Sequence, residues 1–123
     1  MIKEFTDLNV WQEAHSLVLS IYKITGSFPK SETFALTDQL KRASISISSN
    51  IAEGFGRRTP KDKIHFYYQA HGSLTEVKDQ LIIAKDIGYL PPENYLSLSE
   101  KLTTIQKMLL GLISATKSFR LLP

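Results

Sequence analysis

The stretch "SISISSNIAEGFGR", Ser44–Arg57, decides the fold. Its first half alternates Ile and Ser with the period of a half-buried strand. Taken with the residues before it, however, Leu36, Leu40, Ala43, Ile47, Ile51 and Gly54 follow one another at spacings of four, three, four, four and three. That is one face of a helix. A strand here would also lack a partner, because no other segment reads as β. The helical period wins over the modest helix propensity of Ser and Ile, and the spacing predicts a helix from about residue 33 to 57.

Three more segments carry the same period. The first runs from Asp7, read as an N-cap, to about Gly26, with Val10, Trp11, Ala14, Leu17, Val18 and Ile21 on one face. "GSFPKSE" then breaks the chain. The third opens on "TPKD", where Thr59 can cap, Pro60 suits the first helical position and Asp62 can close a capping box. It ends near Gly88, and its stripe is Tyr67, Ala70, Leu74, Val77 and Leu81. The fourth follows Pro91-Pro92 with Tyr95, Leu98, Leu102, Ile105, Leu109 and Leu112. Short connections place neighbouring helices antiparallel. The expected fold is all-α, an antiparallel up-down-up-down four-helix bundle, as a single domain over residues 1–123.

The composition narrows the function classes. There is no cysteine, so disulfides, thiolate zinc sites and Cys nucleophiles are excluded, and the absence fits a reducing cytoplasm. The N-terminus does not read as a secretory signal, and no run of about 18 apolar residues suggests a membrane span. His15, His65 and His71 form no HExxH-type pair. Nucleotide-binding and nucleophile-elbow motifs are absent, and "EGFGRR" follows a helix and not a strand. No catalytic residue, metal or cofactor is expected, and the protein is read as a non-enzyme.

The second helix has more than a core face. Arg42, Ser46, Ser49, Glu53 and Arg57 make a polar stripe with Asn50 at its edge. Glu53 and Arg57, four apart, can pair, so Glu53 and Asn50 are assigned structural polar roles. Phe34, Ile45 and Ala52 lie on the back of that helix. Tyr68, Gly72, Ile83 and Ile87 lie away from the inner stripe of the third. A monomeric bundle needs one apolar stripe per helix, so these seven residues are candidates for contacts between copies of the chain. Small residues such as Gly72, Ser46 and Ser49 would let helices approach closely.

Charge is concentrated. The formal net charge is +3, and the seven residues "RRTPKDK" carry four positive charges against one negative. Arg57, Arg58, Lys61 and Lys63 thus form a basic turn between the second and third helices, suited to phosphate contact. "FYYQ", Phe66–Gln69, begins about a turn later and could add stacking, although Phe66 and Tyr67 are better read as core-facing.

"FTDLNVWQEA", "LTDQLKRASISISSNIAEGFGR", "GSLTEVKDQLIIAKDIGYL" and "IQKMLLGLI" together resemble the bacterial four-helix bundle proteins encoded within intervening sequences of 23S ribosomal RNA genes. The accessory protein of diversity-generating retroelements is a more distant relative by fold. The resemblance implies an antiparallel bundle, a ring-like homopentamer and a basic surface that meets nucleic acid; it brings no catalytic motif. The expected function is a cytoplasmic homo-oligomeric scaffold that binds RNA or a ribonucleoprotein partner through the basic turn. The competing expectation is an adaptor that docks an acidic protein there.

Overall fold

The computed structural model describes residues 1–120, which form four α-helices: α1 (Asn9–Thr25), α2 (Leu36–Phe55), α3 (Pro60–Ile87) and α4 (Pro92–Arg120). Short 3-10 turns at Phe5–Asp7 and Lys30–Glu32 precede α1 and α2. Each helix packs on two others, α1 and α3 both lying against α2 and α4. Contacts across the α2–α3 seam run from Gln39–Gln80 through Ser46–Ser73 to Phe55–Lys63. One number rises as the other falls, so the pair is antiparallel. Among the described residues no helix is long and apolar enough to cross a membrane.

The apolar stripes meet in one core. Leu17, Ile21, Leu40, Ile47, Ile51, Tyr67, Leu74, Leu81, Leu102, Ile105 and Leu109 are fully buried. Burying a side chain of this size contributes roughly 1.5–3 kcal/mol, which is why a chain rich in Ser still folds as a bundle. Ser44 and Ser48 are also buried, and each donates to a carbonyl one turn back, Lys41 O and Ile45 O. Their hydroxyls are thereby satisfied inside α2 without a cross-chain partner.

The helix ends differ from expectation in three places. Asp7 does not cap α1. Its carboxylate turns back to accept from the backbone N–H groups of Lys3 (2.9 Å) and Glu4 (3.0 Å), bonds that hold it below the usual carboxylate range. The helix starts two residues later, at Asn9. α2 starts at Leu36 and not near Thr33, since residues 30–32 are wound as a 3-10 turn. At α3, Thr59 accepts from Asp62 N–H as foreseen and Pro60 leads the helix, but the cap is one-sided. Gly88 ends α3 with φ +98, the left-handed conformation that glycine adopts without strain.

Gly54 has a different task. A Cβ there would stand 2.6 Å from Tyr67 Cε1 and 3.1 Å from the Lys63 carbonyl oxygen. The missing side chain lets the Tyr67 ring lie directly against the α2 backbone, next to the basic turn.

Candidate nucleic-acid interface

The chain reverses between α2 and α3 through Gly56–Thr59, and all four candidate cations lie at this reversal. They do not play equal parts. Lys63 is half-buried, and its Nζ donates to the Phe55 carbonyl at 2.6 Å, beside the Phe55 ring. The ammonium thus satisfies an orphan carbonyl at the C-terminus of α2. Burial pushes its pKa down. Arg57 is exposed. Its guanidinium lies 3.6 Å from the Glu53 carboxylate and 4.5 Å from the centre of the Phe66 ring. Arg58 and Lys61 are exposed and make no ion pair among the described residues.

Two cavities flank the turn. One, of about 530 Å³, is lined by Gly56, Arg57, Arg58, Thr59 and Asp62. The other, of about 260 Å³, lies between Arg58, Pro60 and Lys63 on one side and Ala115, Thr116 and Phe119 of α4 on the other. The first turn of α3 adds the partial positive charge of a helix N-terminus beside them. Asp62 is the one carboxylate lining either cavity.

The structure adds one residue that sequence spacing did not single out, Lys117, and gives Tyr68 a new partner. Lys117 of α4 donates to the Tyr68 hydroxyl at 2.8 Å and lies 5.3 Å from the Tyr68 ring centre. These residues are 49 apart in sequence, so only the return of α4 to this end of the bundle joins them. Tyr68 is half-exposed, Phe66 half-buried and Tyr67 fully buried. The expectation that Phe66 faces the core holds only in part, because Arg57 covers its outer side.

Glu53 and Arg57 do pair, but the side chains are 54% and 44% exposed, so the pair is a surface one. Asn50 donates to Ser46 O and Ser46 Oγ, and Ser46 Oγ lies 2.7 Å from Ser73 Oγ, tying the polar stripe to α3. Ser49 is exposed and makes no side-chain hydrogen bond among the described residues. Among the described residues no group of three or more His, Asp and Glu could hold a metal ion.

The candidate contact residues are accessible in the single chain. Phe34, Ile45, Tyr68, Gly72, Ile83 and Ile87 are exposed and Ala52 half-buried. Phe34 lies in the turn before α2 and not on that helix as expected, because α2 begins only at Leu36; the other six lie on α2 and α3. Lys41 reaches over the Tyr22 ring of α1, and Ile45 and Ala52 follow Lys41 on that side of α2. Tyr68 lies on the α4 side of α3. A Cβ at Gly72 would meet nothing within 4 Å, so this glycine brings no helices together within the chain.

The sequence matches the profile of the 23S rRNA-intervening sequence protein family over residues 6–111. Among solved structures, the chain is similar to a protein with unknown function from the S23 ribosomal protein family of Bacteroides thetaiotaomicron VPI-5482. Identity is 24%, the TM-score is 0.76, and the match covers 85% of this chain and 97% of the other. At that identity the likeness speaks for the fold. A search of the curated proteins finds no match.

Proposed function

The chain belongs to the 23S rRNA-intervening sequence protein family, and from that premise we propose that it is a non-enzymatic, cytoplasmic homo-oligomeric scaffold, a pentamer, that binds RNA through the basic end of its bundle. The observation that carries this reading is the pair Arg58 and Lys61, exposed without ionic partners among the described residues, beside the capped N-terminus of α3. Unneutralised cations at one end suit a polyanion. Glu53 pairs with Arg57, the arrangement of a surface ion pair and not of a general acid–base carboxylate dyad, which favours a binding role.

The oligomer reading rests on the two apolar flanks. Ile45 and Ala52 on α2, and Ile83 and Ile87 on α3, are different surfaces. Such surfaces associate head to tail, and head-to-tail contacts close into rings when the rotation permits. A ring would repeat the basic turn around its axis, and several weak clusters on one particle would engage a single strand by effective concentration.

The test is fluorescence anisotropy with labelled RNA across a salt series. Arg57→Gln, Arg58→Gln and Lys61→Gln are combined, with Lys63 retained because it caps α2. The triple variant should lose most of the affinity, and its salt slope should fall by about 2, at about 0.7 per phosphate contact on a single strand. Equal binding by both proteins, or none at low salt, would overturn the RNA reading in favour of a protein adaptor. Light scattering at about tens of micromolar tests the assembly. Wild type should run as an oligomer that Ile45→Asp dissociates with helical content retained, and a wild-type monomer would refute it.

A further inference from the structure

The geometry points to a base-stacking track across the outer face of the first three turns of α3, which makes single-stranded RNA and not duplex the class of nucleic acid bound; this inference rests on the RNA-binding reading above. Its two rims are cation–aromatic pairs. On the α2 side, Arg57 lies 4.5 Å from the Phe66 ring centre, with its edge held by Glu53 at 3.6 Å. On the α4 side, Lys117 lies 5.3 Å from the Tyr68 ring centre and is bonded to its hydroxyl at 2.8 Å. Residues two apart on a helix point about 200° apart at 3.6 residues per turn. The two pairs therefore stand on opposite flanks of α3.

The ground between them is open and polar. Lys61, His65, Gln69 and Gly72 are all exposed. Gln69 Nε2 lies 3.0 Å from His65 Nε2. A side chain at Gly72 would have met no neighbour within 4 Å, so its absence keeps the ridge low at the far end. A helix with its side chains is about 10 Å across, the reach of about two nucleotides.

Phosphate contact alone requires no rings at the rims. Here each half-exposed ring carries a cation, and the Arg57 side chain, whose guanidinium carbon lies 4.5 Å from the Phe66 ring centre, is 44% exposed. Unpaired bases stack on aromatic rings and on guanidinium planes alike, with little sequence preference. In a duplex those faces are already occupied by neighbouring bases. Tyr68 is thereby assigned to the strand and not to the neighbouring copy.

The test uses three labelled ligands of equal length: a mixed-sequence single strand, the same strand with abasic sugars, and a duplex. The full single strand should bind about tenfold tighter than either of the others, since each stacked base contributes several-fold or more. Tyr68→Ser combined with Phe66→Leu should reduce it to the abasic level while the salt slope stays unchanged. Should the double variant not fold, Tyr68→Ser alone carries the test, because that side chain is half-exposed. Equal, salt-sensitive binding of all three ligands by wild type would overturn the track and leave the RNA reading intact. Base-dependent binding that survives the substitutions would overturn the residue assignment. No binding of any ligand at low salt would defeat the RNA reading itself.

Discussion

The two ends of the α2–α3 seam are built on different principles. At the basic-turn end the seam is set by volume: Gly54 removes a side chain so that the Tyr67 ring can lie on the backbone, with a Cβ position only 2.6 Å away. At the other end it is set by polar atoms. Gln80, 8% exposed, donates to Gln39 at 3.4 Å, and its Oε1 has no partner among the described residues. A groove of about 360 Å³ opens there among Asp38, Gln39, Arg42, Ser46, Ser73, Glu76 and Gln80. One helix pair thus joins a tight contact that tolerates no added atom to a loose contact that leaves an acceptor unmet. The tight end is the one that positions the candidate interface.

Substitution should separate the two ends most clearly at Gly54. Overpacking a filled site costs typically 1–3 kcal/mol, so Gly54→Ala should lower stability by about that amount in urea denaturation. Tyr67→Leu removes the two nearest atoms and leaves only the Lys63 carbonyl oxygen at 3.1 Å. Gly54→Ala should therefore cost less in the Tyr67→Leu background than in wild type, a coupling between touching residues. Additive losses would mean that the ring contact does not determine the seam.

The polar end should answer with the opposite sign. A buried unsatisfied acceptor costs about 1–3 kcal/mol, and Gln80→Leu removes it at similar volume. Denaturant midpoint should rise, by an amount worth about 1 kcal/mol, with an unchanged m-value. A loss of stability instead would show that the Gln39–Gln80 contact holds the helices together.

Within the basic turn, the contrast between Lys63 and Arg58 gives a third measure. Lys63→Met leaves the Phe55 carbonyl without its donor and should cost about 1 kcal/mol, the net value of one hydrogen bond. Arg58→Met should stay within about 0.5 kcal/mol, as surface substitutions do. Thermal melts of the two variants check the difference, and equal melting temperatures would remove Lys63 from its capping role. Glu53→Gln should also be small. The pair with Arg57 is exposed, and exposed pairs contribute under about 1 kcal/mol. A large drop in its melting temperature would mean that another subunit buries the pair.

The bundle was legible because its signal is repetitive and short in range. Leu36, Leu40, Ala43, Ile47, Ile51 and Gly54 state a helix face within twenty residues, and the steady stripe of α4 does the same. The caps were less legible. Asp7 can serve either the chain before it or the helix after it, and the two 2.9–3.0 Å bonds to Lys3 and Glu4 decided in favour of the former. The basic turn could be read as four like charges, because counting charges takes no account of where their stems go.

By itself the sequence determined the number of helices, their inner faces, the Thr59–Pro60 start of α3, the Gly88 stop and the place where charge gathers. Only the tertiary structure decided that Lys63 turns to the Phe55 carbonyl while Arg58 and Lys61 stay exposed. Only it set Gly54 against Tyr67, opposed Gln39 to Gln80, and brought Lys117 to Tyr68. The physical reason is range. A helix period is written in neighbours three and four residues apart, where backbone geometry fixes direction. The partner of a long, flexible side chain is settled by whichever distant helix the packed core places within its reach.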